Sequence, residues 1–184
     1  QHLEADDHRQ EVAGGGQDNQ ADDQDLGDGE PAKDASFGIP YGLTLGDDGS
    51  LYFALPLENV VEKVTPQGRI QRVAGNHTAP YAAPQYGEVA TQVNIGAPVD
   101  VAMGRDGGIY IRHNQNGTPS GSLISRVTPQ GRLEHVAGHL RGTCGYSRSP
   151  EGEQATRSCI ETSDGGVHVD GDGRVLFADG RHQI

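Results

Sequence analysis

The chain has 184 residues, of which 33% are hydrophobic and 28 are glycine, with no tryptophan and a formal net charge of −12. The acidity gathers in residues 1–36, where eleven acids stand against Arg9 and Lys33. Such a surface repels phosphates and argues against nucleic acid as a partner. No stretch approaches the ~20 apolar residues of a membrane helix, so no membrane insertion is expected, and the polar opening QHLEADDHRQ lacks the apolar core of a secretory leader.

In chain order, the first segment is QHLEADDHRQEVAG (1–14). It aligns without gaps to EKVTPQGRIQRVAG (62–75), with Leu3 on Val64 and Val12 on Val73. A Gly/Asp-rich loop follows over 15–36. GLTL (42–45) and LYFAL (51–55) then flank the turn GDDGS. Asp-Gly favours the positive φ of a tight hairpin, so two antiparallel strands are predicted. VVEKV (60–64) is a third strand, and a TPQG turn leads to a fourth, RIQRV (69–73). In that fourth strand only Ile70 and Val73 are apolar, which predicts an outer, half-exposed strand.

After a second loop (76–94) the pattern returns as VDVAM (99–103), IYIRH (109–113), LISRV (123–127) and RLEHV (132–136). HNQNGTPSG, between Arg112 and Ser122, is an insertion with no counterpart in the first copy. A third loop (139–158) precedes GVHVD (166–170) and VLFAD (175–179). No segment shows helical periodicity.

The order of phrases repeats as well as the strands. VTPQGR occurs at 64–69 and 127–132, and VAG at 12–14, 73–75 and 136–138. Each loop ends in a related phrase: GEPAKDASF (29–37), GEVATQVNI (87–95) and GEQATRSCI (152–160). Four antiparallel strands per repeat, with a long connection to the next, is the blade of a β-propeller. The predicted organisation is residues 1–14 as the end of a preceding blade, blades over 15–75 and 76–138, and an incomplete blade over 139–184. A lone blade cannot bury both faces. The expected occupants of the outer faces are remaining blades of the same polypeptide or a second copy.

Pro40-Tyr41-Gly42-Leu43-Thr44-Leu45, the Asp-Gly turn, LYFA and VTPQGRIQRVAG resemble NHL repeats. Gly145-Tyr146-Ser147, followed by Gly152-Glu153-Gln154-Ala155-Thr156, is similar to the long-loop subtype of bacterial RHS/YD-repeat proteins and teneurins. The third copy departs from the pattern, with Ser163-Asp164-Gly165-Gly166 at the strand start, and the second has Val99-Asp100 in place of Tyr41-Gly42. The resemblance implies an all-β propeller of NHL type within a secreted or cell-surface polypeptide. It implies a non-enzymatic interaction module with no cofactor, touching a protein partner through loops 15–36, 76–94 and 139–158. The alternatives are a lyase or hydrolase with a metal in the central channel, completed by other blades, and a carbohydrate-binding propeller stacking sugars on tyrosines.

Candidate site residues are few. Asp170 and Asp172 form D-x-D-G, a fragment of a calcium loop without the terminal Glu. The other reading is an Asp-rich hairpin turn. Eight histidines are scattered, and only His168 lies on a predicted first strand, opposite Thr44 and Ala102 in the other copies, which is no zinc set. No G-x-S-x-G nucleophile motif occurs. Cys144 and Cys159 share the third loop. A disulfide there would constrain the loop by roughly 3 kcal/mol in the chain-entropy model and imply an oxidising compartment; the alternative is two thiols. Asn76-His77-Thr78 and Asn116-Gly117-Thr118 are glycosylation sequons, relevant in a eukaryotic source.

Overall fold

A computed structural model describes residues 12–13, 28–78, 83–115, 121–140, 152–161 and 165–178. The first sheet contains β1 (Tyr41–Leu45), β2 (Leu51–Leu55), β3 (Val60–Val64) and β4 (Ile70–Ala74). The second contains β5 (Ala97–Met103), β6 (Ile109–Gln115), β7 (Gly121–Val127) and β8 (Leu133–Ala137). Both are antiparallel meanders in sequence order, and β9 (Val167–Val169) pairs with β10 (Val175–Phe177) as a third, two-stranded sheet. The helical elements among the described residues are two 3₁₀ turns, Ala90–Gln92 and Ala155–Arg157.

The turn chemistry explains why VTPQGR is kept. In the first copy Thr65 accepts the Gly68 N–H at its carbonyl, 2.8 Å, and the Arg69 N–H at its hydroxyl, 3.2 Å. Thr128 repeats both bonds with Gly131 and Arg132. The arginine then reaches sideways: Arg69 Nη1 donates to the Gly29 carbonyl at 2.7 Å, and Arg132 Nη1 to Gly87 at 2.6 Å. The threonine and glycine of the hexapeptide therefore shape the turn, and its arginine holds the element that precedes the blade's first strand.

That element was not apparent in the sequence. Gly-Glu-x-Ala, read above as a loop end, lies antiparallel beside the fourth strand of its own blade. Gly29 N–H donates to Ile70 and Ile70 N–H to Glu30; Gly87 N–H donates to Leu133 and Leu133 N–H to Glu88. Isolated bridges Pro31–Arg69 and Val89–Arg132 mark the pairing. The fourth strand is thus covered along its outer edge, which hides the unpaired amides that invite aggregation. Ile70 is accordingly fully buried and Val73 partly buried while Gln71 is exposed, the half-exposed pattern expected of this strand.

The blades stack face to face, with β5 lying against β1 and β2 on one side and β9 on the other. Tyr52, Ala54, Val61 and Ala74 of the first blade pack on Val101, Ile109, Ile111, Val127 and Leu133 of the second. Ala102, Ile124 and Ala137 of the second pack on Val167 and Ile160, with Val169, Val175 and Phe177 alongside. A third cluster, Phe53, Leu55, Val60, Val64 and Ile70 with Ala32 and Ala35, lies on the other face of the first blade, and Ala13 packs against it. Ala13, Ala74 and Ala137 are the alanines of the three VAG phrases. The glycines after Ala74 and Ala137 also repeat: Gly75 and Gly138 donate to Ala90 and Ala155 of the next clip, both at 2.9 Å. At φ +90° and +97°, a Cβ on either would strike backbone of the strand beside it.

Candidate functional site

The second blade carries a buried polar cluster that no motif announces. His113 on β6 places Nε2 2.7 Å from the Ser125 hydroxyl on β7. The Tyr86 hydroxyl, from the segment leading into the clip, lies 3.1 Å from the same oxygen. The Tyr86 ring stacks on His135 of β8 at 4.8 Å, and His135 Nε2 lies 2.8 Å from the Gly138 carbonyl. Burial, helped by nearby His135, depresses the His113 pKa to about 3, so its imidazole is neutral. Burial also pushes Tyr86 up to about 12, against the opposing hydrogen bond from Ser125. His135 is lowered, again chiefly by burial.

A serine 2.7 Å from an imidazole has the spacing of a nucleophile and its base. Its accessibility contradicts that role. Ser125 is fully buried and His113 is 1% exposed, so no substrate carbonyl reaches the hydroxyl. The first blade shows what the positions do. Glu62 stands where Ser125 stands, Arg72 where His135 does, and Asp28 where Tyr86 does. Arg72 Nε lies 3.5 Å from Glu62, and its backbone N–H donates to Asp28 at 3.1 Å. Both sets join a buried polar residue of the third strand to the fourth strand and the clip, one by charge and one by neutral hydrogen bonds and ring stacking.

The insertion between Arg112 and Ser122 lengthens the central hairpin, adding the pairs Asn114–Ser122 and Gln115–Gly121. At its base Arg112 is fully buried. Its guanidinium donates to the carbonyls of Gly165 (3.0 Å), Glu161 (3.1 Å) and Ala178, and to the Ser122 hydroxyl (3.4 Å). Ser122 in turn donates to Asn114 at 2.7 Å. Asp100, paired in register with Arg112, accepts the Val167 N–H at 2.7 Å. A charged pair of positions on the second blade thereby fixes β9 and β10.

Asp170 and Asp172 lie in the β9–β10 turn. Asp170 accepts the Asp172 and Arg174 N–H groups, both at 2.9 Å, and the Arg174 guanidinium contacts both carboxylates, at 2.7 and 3.2 Å. These bonds hold the Asp170 pKa below the usual carboxylate value, the Arg174 backbone first. Arg174 thus engages both carboxylates within the hairpin turn. Among the described residues no cluster of three His, Cys, Asp or Glu side chains could hold a metal ion.

His168 lies on β9, as expected for a first strand. Asn76 uses its amide nitrogen on the Gln92 carbonyl at 3.1 Å and accepts the Thr78 N–H at 3.2 Å. A glycan there would replace one of the two hydrogens on that nitrogen. Asn116 and Cys144 lie outside the described residues; Cys159 follows the second 3₁₀ turn. Tyr52, which lies in a strand and is expected to be packed, is buried between blades with Lys63 Nζ 5.6 Å from its ring centre. Two shallow clefts of about 240 and 280 Å³ flank β9 and β10, below the ~300–1,000 Å³ usual for small-molecule sites.

Four-stranded meanders stacked through their faces, with first strands side by side, define this chain as β-propeller blades. Solved structures agree. The chain is similar to a protein of unknown function from Bacteroides thetaiotaomicron, at 20% identity and TM-score 0.59, over 80% of this chain and 35% of that one. It is also similar to an auxiliary nutrient binding protein of that organism, at 17% identity and TM-score 0.55, over 74% of this chain and 34% of that one. A looser likeness is to virginiamycin B lyase from Staphylococcus aureus, at 15% identity and TM-score 0.41 over 76% of this chain and 48% of that one. The chain spans about a third of the length of the first two proteins, and the likeness to them is one of fold. No family model and no curated protein matches the chain.

Proposed function

We propose that these blades form a non-enzymatic scaffold that displays long loops to a protein partner. The observation that carries this reading is how the loops are held. Each described loop leaves its blade at a VAG glycine and returns at a Gly-Glu clip. Gly75 and Gly138 are tied to Ala90 and Ala155 at one end; Gly87 is tied to Leu133 at the other. Loops of variable sequence on fixed ends are the arrangement by which rigid scaffolds carry binding. The clip residues 29–32 and 87–90 belong to the frame, which narrows the display surface to the segments before them.

The resemblance to RHS/YD-repeat and teneurin-like NHL repeats supports placing the blades in a larger secreted or cell-surface polypeptide. A Cys144–Cys159 disulfide, closing the third loop, fits that compartment. Elemental analysis of the purified complete chain separates this reading from a metal-dependent lyase or hydrolase. The scaffold reading expects zinc and calcium far below one per chain after dialysis. Stoichiometric metal contradicts it.

A further inference from the structure

We infer that the junction between the second and third sheets holds a binding cleft for one neutral sugar residue. The cleft is separate from the displayed loops, and the inference does not depend on the scaffold reading.

The two junctions can be compared position by position, because the first hairpin of each sheet meets the first hairpin of the next. At the first junction the place beside Gly46 is filled. A Cβ on Gly46 would lie 2.7 Å from the Tyr52 ring and 3.0 Å from the Met103 methyl, which reaches across from β5. At the second junction the same place lies beside Gly104. The atoms nearest to a Cβ there come from Asp106, Tyr110 and Gly108, all of the second blade. The counterpart of Met103 is Val169, a shorter side chain, and the counterpart of Arg105 is Gly171. A cleft of about 280 Å³ opens as a result, lined by Tyr110, Arg105, Asp106, Val169, Asp172 and glycine backbone. It lies between two sheets, and both of the turns that form it are described in full.

The lining sets the chemistry of the ligand. Tyr110 supplies an apolar surface and is held by Arg126, whose guanidinium carbon stands 5.8 Å from the ring centre. Polar groups of both signs stand around it. Asp106 accepts the Gly108 N–H at 3.1 Å on Oδ1 and the Arg126 guanidinium on Oδ2. Asp172 contacts Arg174 through Oδ2 at 3.2 Å, which leaves Oδ1 to accept. Arg105 is exposed and has no hydrogen-bond or ion-pair partner among the described residues, so its donors are open to a ligand. Its guanidinium stands 3.6 Å from the point that a Cβ on Gly171 would occupy. A ligand carboxylate would meet Asp106 and Asp172, and a ligand amine would meet Arg105 and Arg126, each a like-charge approach. A neutral ring that donates to the carboxylates and accepts from Arg105 satisfies both signs. The volume is short of what a drug-sized molecule needs and suits a single ring. A sugar residue combines these features, with hydroxyls at its rim and C–H groups to lie on Tyr110.

Amide-resolved NMR of the labelled complete chain tests this by titration with the methyl glycosides of glucose, galactose and mannose and with N-acetylglucosamine. At least one is expected to shift the Gly104, Gly171 and Gly173 amides saturably, with half-saturation in the millimolar range. A disaccharide ending in that residue tells the two sources apart: equal half-saturation assigns the cleft to glycan ends and loss of binding assigns it to the free sugar, and either supports the inference. Val169→Met installs the residue of the first junction and is expected to weaken binding at least tenfold, with the parent's circular dichroism. Arg105→Gln, at an exposed position, is expected to weaken it several-fold, and decides the matter if the first variant fails to fold. No saturable shift with any of the four sugars, shifts that lie away from the two turns, or variants that bind as the parent does overturn the inference. Tighter binding of glucuronate or glucosamine than of every neutral sugar overturns it as well. Metal content, which decides the scaffold reading, is untouched by these variants.

Discussion

Mild acid should weaken this protein through one buried imidazole. His113 is held neutral by burial, with a folded pKa near 3 against an unfolded value of 6.5. Between those values the unfolded chain binds a proton that the folded chain refuses. The contribution is therefore harmless above pH 6.5 and costs stability progressively as pH falls toward 3. At about pH 5 the unfolded imidazole is almost fully protonated and the folded one scarcely at all, a cost of about 2 kcal/mol relative to neutral pH. The repeat supplies the control. The equivalent residue in the first blade is Leu55, also fully buried, so His113→Leu installs a side chain this fold already accepts. Ser125 keeps the Tyr86 hydroxyl as its partner. Urea unfolding of parent and variant, followed by far-UV circular dichroism at neutral pH and at about pH 5, gives the comparison. The parent should lose about 2 kcal/mol more than the variant. His135 titrates in both proteins. The depressed carboxyls Asp48 and Asp170 lose their contribution only as pH falls through their folded values, below this window. Equal losses in parent and variant would refute the assignment.

Other outcomes follow from the same geometry. Arg112→Met should destabilise the fold by roughly 3 kcal/mol or more and expose residues 165–178 to limited proteolysis first, since that guanidinium ties both ends of the β9–β10 hairpin. Gly75→Ala should cost several kcal/mol, because the new Cβ falls on the Asn59 carbonyl; Gly68→Ala, with open space around it, should cost only about 1 kcal/mol, and melting temperatures rank the two. Tyr86→Phe keeps the stacking on His135 and removes a buried hydroxyl contact, an expected loss of about 1 kcal/mol by urea titration. Non-reducing peptide mapping should recover a peptide joining Cys144 to Cys159; alkylation of both thiols without reduction would remove the disulfide.

Much of the fold could be read directly. The Asp-Gly turns and the alternating strands around them gave β1, β2, β5 and β6 within two residues, because local turn chemistry and period-two burial are written in neighbouring residues. The third copy forms β9 despite losing its Pro-x-Gly start, since Val167 and Val169 still alternate toward the core. The clips were read as loop ends for a physical reason. A single bridge pair such as Val89–Arg132 has no periodicity, and its partner lies some forty residues away. The His113–Ser125–Tyr86–His135 cluster escaped notice likewise, since its members come from four separate segments. One signal was available: setting the two complete copies side by side puts Leu55, Glu62, Asp28 and Arg72 opposite those four residues. Matched positions that change chemistry together mark contact. The insertion after Arg112 departs from the pattern, and it is the hairpin extension that sets Asn114 beside Ser122, whose hydroxyl also reaches the Glu161 carbonyl.

β4 and β8 should behave as inner strands, each strapped by its Gly-Glu clip, so that the loops ending at those two clips are fixed where they return. Residue-resolved hydrogen exchange measures this at two amides, Ile70 and Leu133, which donate to Glu30 and Glu88, both at 3.0 Å. The account predicts protection of both comparable to the amides of β2 and β6. Exchange of Ile70 and Leu133 at the rate of a fraying sheet edge would contradict it.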